Sequence, residues 1–254
     1  MNSNRVIPTL LISNELLFKS KKFKDFNYIG DPLIAVKIFN EKEAQEICIL
    51  DIEISRNKGE INFELLQDIS SECFMPLSYG GGVNNIEDIR HLNRIGYEKV
   101  ILNSAVHKNP VLVSEAVKEF GSSTIIGCID YKLLQNEYMV FINGGTINTK
   151  KSLKEVVDFY KDKNVGEIFL NNIERDGSMN GLDLNNIKEI FNDTTIPIIV
   201  SGGVGSLKDI KKGFDFGANA VAAGSLFVYK GPLKAVLINY PDKESLNKLN
   251  NHYQ

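Results

Sequence analysis

"PLSYGGGVNNIEDIRHLNRIGYEKVILNSA", Pro76 to Ala105, and "PIIVSGGVGSLKDIKKGFDFGANAVAAGSL", Pro197 to Leu226, follow one pattern 121 positions apart. The shift superimposes Pro76, Gly81, Gly82, Val83, Asp88, Ile89, Gly96, Val100 and Ser104 on Pro197, Gly202, Gly203, Val204, Asp209, Ile210, Gly217, Val221 and Ser225. It also carries Glu46 and Ile47 to Glu167 and Ile168, and Glu53 to Glu174. One ungapped register of this length marks an internal repeat. Each copy holds a β-rich run, a glycine turn, a helix-period stretch and a second β-rich run, so the repeat is made of βα units.

Outward from this pair, eight β-rich runs recur: Val6 to Leu11, Ile47 to Leu50, Met75 to Leu77, Val100 to Leu102, Thr124 to Ile129, Ile168 to Leu170, Pro197 to Val200 and Ala220 to Ala223. Helix-period stretches lie between them, among them DPLIAVKIFNEKEA, FELLQDISSE, IEDIRHLNRIG, SLKEVVDFYKDK and LNNIKEIFND. Eight such units in 254 residues fit a closed (β/α)8 TIM barrel of two similar half-barrels. The competing open, doubly wound sheet normally carries a G-x-G-x-x-G turn after its first strand, and this chain has none there. No linker rich in Pro, Gly or Ser separates the halves, so residues 1–254 read as a single phosphate-binding barrel domain.

The bulk properties exclude several function classes. With 29 Lys+Arg against 32 Asp+Glu there is no basic excess to draw the protein to nucleic acid or an anionic membrane. Cys48, Cys73 and Cys128 are widely spaced in apolar runs, which reads as reduced core residues of a cytoplasmic protein. His91, His107 and His252 make no H-x3-H pattern, so neither a metal nor another cofactor is expected. The apolar start is too short for a membrane span and lacks signal-peptide features, so the mature chain is expected to begin where the sequence does.

The glycine turns point to anions. After the third strand comes YGGGVNNIED and after the seventh VSGGVGSLKD; in both, glycines let backbone approach a ligand and leave amides free at a helix start. The next strands end in Asn103-Ser104 and Gly224-Ser225, beside the respective turns. Taken singly, either Gly-Gly could serve only a tight turn. Paired in both halves, they read as two phosphate sites for an elongated ligand with a phosphate at each end.

The combination of GDP (Gly30 to Pro32), LDI (Leu50 to Ile52), GGGV (Gly80 to Val83), LNSA (Leu102 to Ala105), ID (Ile129, Asp130), RDG (Arg175 to Gly177) and SGGVG (Ser201 to Gly205) resembles the phosphate-sugar barrels of histidine biosynthesis. It is most similar to the HisF-like cyclase subunit of imidazole glycerol phosphate synthase. In that family a glutaminase partner makes ammonia, which crosses the barrel and is used at its C-terminal face on a bisphosphorylated ribonucleotide. The resemblance implies that Gly82, Asn103 and Ser104 hold one phosphate, and Gly177, Gly203, Gly224 and Ser225 the other. It implies Asp130 as catalytic base, and Lys19, in a loop after the first strand, closing over the ligand. It also implies a charged gate at the barrel floor made of Arg5, Glu46, Lys99 and Glu167, with a HisH-like glutaminase below; a static salt-bridge plug is the alternative.

The stretch RVIPTLLISNELLFKSKKF, Arg5 to Phe23, reads as a buried strand entering a lysine-rich loop, and it departs from the family. Leu11 stands where the pattern places a second catalytic aspartate, and Pro8, Ser13 and Ser20 also differ. These departures resemble the HisF-like branch associated with acetamidino modification of surface-polysaccharide (lipopolysaccharide) sugars, working beside a separate sugar amidotransferase. The alternatives are a genuine cyclase of histidine biosynthesis, with Asp51, Asp130 or water replacing the missing acid, and a non-catalytic scaffold tethering glutaminase and amidotransferase. Within the loop from Tyr131 to Lys151, EYMVFINGG reads as a small hairpin over the mouth, with Gly144-Gly145 as its turn or, alternatively, another ligand contact.

Overall fold

The computed structural model describes residues 4–57 and 59–250; the ends of the 1–254 domain reading, and His252, lie outside them. Eight parallel strands form the barrel: β1 (Arg5–Ser13), β2 (Ile47–Asp51), β3 (Leu77–Gly80), β4 (Lys99–Leu102), β5 (Ile125–Leu134), β6 (Glu167–Asn172), β7 (Ile198–Ser201) and β8 (Ala220–Ala223). Each pairs with the next, β8 pairs with β1 from Arg5↔Ala220 to Pro8↔Ala223, and β5 pairs with β6 from Glu167↔Ile126 to Asn172↔Tyr131, so no edge is left open. The expected (β/α)8 barrel is the fold.

Helices alternate with the strands: α1 (Pro32–Glu41), α2 (Phe63–Ser71), α3 (Ile86–Arg94), α4 (Val111–Phe120), α5 (Leu153–Asp162), α6 (Lys188–Asp193), α7 (Leu207–Asp215) and α8 (Lys243–Asn250). Several of their starts are chemically specified. Asp31 accepts from Ile34 N ahead of Pro32 on α1, and Asn85/Asp88 and Ser152/Glu155 form capping boxes on α3 and α5. The 121-residue shift maps α1 onto α5 and α3 onto α7 end to end. The run LNNIKEIFND, expected as one helix, opens as a 3-10 turn (Asn185–Ile187) before α6. Helix α8, which the periodicity reading leaves unassigned, starts where Asp242 Oδ1 accepts from Ser245 N at 2.8 Å and buries Leu246 and Leu249.

Two readings of the strands need correction. β3 begins at Leu77 rather than Met75, because Pro76 has no N–H for the ladder and contributes only its carbonyl, to Ile47 N at 2.9 Å. The lysine-rich segment after β1 is an antiparallel hairpin, Leu16–Lys21 paired with β1 (Leu11↔Phe18) and with Lys24–Gly30. Its turn places Lys22 and Phe23 at φ 56° and 58°, a conformation usually signalled by Asn-Gly, so the residue types hide it. The second half has the matching hairpin: Glu137–Ile142 pairs with β5 (Asp130↔Phe141) and with Ile147–Ser152. Gly144 and Gly145, at φ 61° and 77°, form the turn expected there.

Strand alternation divides the core into two shells. Val6, Leu10 and Ile12 of β1 face the helices and join the large outer cluster. Ile7, Cys48, Ile101, Ile126, Cys128, Phe169 and Ile199 face inward and pack across the lumen with Ala220 and Ala222. Cys48 and Cys128 are thus core thiols, whereas Cys73 is half-buried. On β5, Gly127 makes room for α5: a Cβ there would lie 2.6 Å from the ring of Tyr160, whose hydroxyl donates to Leu102 O at 2.9 Å. Gly127→Ala is therefore expected to destabilise the barrel by about 1–3 kcal/mol, read as a lower urea midpoint with unchanged slope; an unchanged midpoint would show that α5 can move aside.

Candidate functional site

Inward positions two residues apart along a strand form successive levels of the lumen. β1 contributes Arg5, Ile7, Thr9 and Leu11; β4 Lys99, Ile101 and, just beyond its end, Asn103; β5 Ile126, Cys128 and Asp130; β6 Glu167, Phe169 and Asn171. The floor is charged, the waist apolar and the mouth polar. This is one consequence of period two applied to strands in fixed register.

At the floor, the four residues implied as a gate form a closed ring. Arg5 donates through Nη1 to Glu46 and through Nη2 to Glu167. Lys99 Nζ completes the circuit at 3.1 Å from Glu46 Oε2 and 3.2 Å from Glu167 Oε2. Glu46 is buried, and its Oε1 has no hydrogen-bond partner. Two positive and two negative groups cancel, so the ring satisfies buried charge without leaving a net field along the axis.

At the opposite end, the strands' C-terminal ends surround a cavity of about 150 Å³. Every residue implied at the mouth lines it: Lys19, Gly82, Asn103, Ser104, Asp130, Gly177, Gly203, Gly224 and Ser225. Leu11, Thr9 and Asp51 line it as well. Asp130 is buried and its carboxylate accepts from Asn103 Nδ2 at 2.7 Å and Asn171 Nδ2 at 3.1 Å. Burial outweighs these two donors and lifts its pKa to about 7. A carboxyl poised there is part ionised at neutral pH, the range that suits a general base or acid.

Lys19 is not on a loop; it sits in the first hairpin with 4 % of its surface exposed. Its Nζ donates to Thr9 O and occupies the space a Cβ on Gly224 would need. Burial lowers its pKa to about 8, against the attraction of Asp176. Asp176 in turn accepts from Ser20 Oγ at 2.7 Å, tying the Arg175–Gly177 loop to that hairpin.

The glycine turns differ from expectation in which amides they free. Asn84 N and Gly205 N, just past the glycines, donate to Asp88 and Asp209 at 2.8 and 3.1 Å. The first turns of α3 and α7 are thus satisfied internally. A Cβ on Gly82 would meet Ile54 Cγ2 at 2.2 Å, and one on Gly203 would meet Gly181 O at 2.2 Å, so close packing behind the turns also demands glycine. At the cavity itself, two short helices, Ser104–Lys108 and Ser225–Val228, start without a side-chain cap from the preceding residue. Sequence reasoning assigned no role to Asn171, Asp176 or Arg56, all of which line the cavity. Strand parity from Phe169 would have found Asn171; Arg56 had no motif around it.

Among the described residues no helix is long and apolar enough to cross a membrane, and no cluster of three or more His, Cys, Asp or Glu could hold a metal ion.

A closed (β/α)8 barrel with a polar cavity at the C-terminal ends of its strands and a charged ring at their starts defines the class of this protein. The profile of the family described as histidine biosynthesis protein matches residues 5–234. The chain is 45% identical to a Leptospira interrogans protein named "Putative imidazole glycerol phosphate synthase subunit HisF", over 96% of this chain and 98% of the other. It is 42% identical to the Pseudomonas aeruginosa protein bearing that subunit name as hisF2, over 97% and 99%. A Campylobacter concisus protein named "Imidazole glycerol phosphate synthase subunit HisF" is 37% identical, over 89% of each chain. The chain belongs to the histidine biosynthesis protein family and is a HisF-like subunit.

The raised pKa of Asp130 makes stability pH-dependent. Its folded pKa, about 7, lies above the ordinary carboxyl value, so its stabilising contribution is complete below about pH 4 and is lost as pH rises through 7. Asp130→Asn should gain thermal stability relative to the parent between pH 5 and pH 8.5, by several degrees at about 2–4 °C per kcal/mol. A constant difference at all pH values would mean that Asp130 is not the group that titrates.

Proposed function

We propose that this barrel receives ammonia from a HisH-like glutaminase docked at its floor and holds a phosphorylated ligand at its mouth. In this reading it supports a separate sugar amidotransferase that installs an acetamidino group on a surface-polysaccharide sugar. The observation that carries the proposal is the inward face of β1, which begins in the charge ring at Arg5 and reaches the mouth at Leu11, where the family's cyclase places an aspartate. A leucine cannot shuttle a proton, whereas the ring, the apolar waist and both anion cradles are retained.

The physical chemistry of the lumen suits ammonia. Ile7, Ile101, Ile126, Phe169 and Ile199 offer an ammonium ion no ligands, so charge is strongly disfavoured there, while neutral ammonia loses only weak hydrogen bonds. Ring members need only exchange partners to open a seam, since each cation already bridges both carboxylates. The subunit names carried by the relatives imply partners, and the numbered names hisF2 and hisF3, the latter in Vibrio vulnificus, fit additional copies with a diverged task.

One observation favours a second reading, a working cyclase. Asp51 lines the same cavity and burial raises its pKa, so it could serve as the second acid beside Asp130.

A reconstitution with the glutaminase and the bisphosphorylated ribonucleotide separates the two. The diverged reading expects imidazole glycerol phosphate formation about 10²- to 10⁴-fold below that of an aspartate-bearing cyclase, with part of it returned by Leu11→Asp. Robust turnover by the parent protein would select the cyclase. In the same assay with amide-labelled glutamine, Lys99→Met should divert label into free ammonia. Unaltered coupling would reject conduction and leave a tether for the partner enzymes.

A further inference from the structure

Arg56 lies in the short helix Ile54–Asn57 after β2 and lines the cavity; its charge is felt by Asp130, yet among the described residues its guanidinium makes no ion pair. It donates through Nη2 to two carbonyls, Phe23 O at 3.1 Å and Gly144 O at 2.7 Å. Its Nε is buried with no partner, and the Phe26 ring centroid lies 5.3 Å from Cζ. A latch between hairpins needs only an amide such as Gln. A guanidinium with an idle buried donor, facing a cavity, is built to receive something negative.

The internal repeat says where. The 121-residue shift carries Phe23 onto Gly144, so Arg56 bridges equivalent points of the two hairpin tips, and it carries Arg56 itself onto Gly177. In the second half, Gly177 belongs to the cradle with Gly203, Gly224 and Ser225, and the cation there is Lys19, seated against Gly224. In the first half, Ile54, two residues before Arg56, packs behind Gly82, and Asn143, next to Gly144, donates to Ser104 Oγ at 3.0 Å. Arg56 is thus linked to Gly82 through Ile54 and to Ser104 through the Asn143–Gly144 turn, and all three line the same cavity. Each cradle has one cation, a lysine at one end and an arginine at the other.

We propose that Arg56 completes the first cradle, binding with Gly82, Asn103 and Ser104 a phosphate group of the ligand. This rests on reading the mouth as a phosphate site. It gives the two ends unequal chemistry. The Arg56 end offers a planar fork of several N–H donors, and the Lys19 end a single ammonium. A ligand with two different phosphate ends is thereby oriented.

The test is a titration of the full chain with inorganic phosphate at fixed ionic strength, followed through the backbone amide resonances of Gly82 and Gly203. In Arg56→Gln the Gly82 titration should weaken at least tenfold while the Gly203 titration keeps its midpoint, and Arg56→Lys should recover part of the loss. Equal Gly82 midpoints in the parent and Arg56→Gln would overturn the role of Arg56 and leave the cradles standing. Absence of any response at both glycines in the parent would remove the phosphate reading itself. Melting curves establish that each variant folds. Should Arg56→Gln fail to fold, Gly144→Ala, whose Cβ would lie 2.0 Å from Arg56 Nε, displaces the guanidinium without changing charge and is expected to weaken the Gly82 titration likewise.

Discussion

Closure of eight parallel strands into one barrel fixes the radial direction of every strand residue, and the rest of the structure follows from that constraint. A residue facing inward puts its second neighbour inward one level higher, so each strand writes a short column of lumen chemistry. Arg5, Ile7, Thr9 and Leu11 are one column; Glu167, Phe169 and Asn171 are another. The floor ring exists because Arg5, Glu46, Lys99 and Glu167 share a level, and it is stable because opposite charges alternate around it. Removing any one member would strand a partly buried charge. The same closure leaves hydrogen-bonding freedom only where strands end, which is where the cavity lies.

The approximate two-fold repeat supplies duplicate parts, and function has been written into their differences. The hairpins after β1 and β5, the caps of α1 and α5, and the serines that open the two short helices all correspond. The shift that superimposes the halves brings Thr9, not Leu11, onto Asp130. Thr9 Oγ1 is buried without a partner, and Leu11 above it is apolar, so β1 carries no acid to face Asp130 across the mouth. The buried, part-protonated carboxyl is therefore held by one amide from each half-barrel, Asn103 just beyond the end of β4 and Asn171 on β6.

Much of this was legible in the sequence because barrels are periodic objects. The recurring β-rich runs located the eight strands, the ungapped repeat paired the strands of the two halves, and the helix-period stretches located most helices to within two or three residues, because caps such as Asp31 and Ser152 are local signals. The hairpin after β1 was hidden for a physical reason: its turn uses Lys22 and Phe23 at positive φ, where glycine or asparagine usually stands, and its inward face buries a lysine. Tertiary contacts, Lys19 to Thr9 O and Ser20 to Asp176, hold what local preference would not. Arg56 was hidden for a different reason. Its partners come from distant segments, and only the folded chain brings Phe23, Phe26 and Gly144 around one side chain.

The placement of Lys19 links hairpin, cradle and charge. Its amine rests on a backbone carbonyl and against Gly224, and burial depresses its pKa to about 8. An anion arriving at Gly224 and Ser225 would favour the charged form of that amine, because a negative neighbour offsets the desolvation that now penalises the ammonium. Anion binding at this end would thus be coupled to proton uptake by Lys19. The hairpin bearing Lys19 is also tied through Ser20 to Asp176 in the loop that carries Gly177. The cation, its strand and the neighbouring glycine are therefore joined mechanically, so an anion seated against Gly224 would act on all three together.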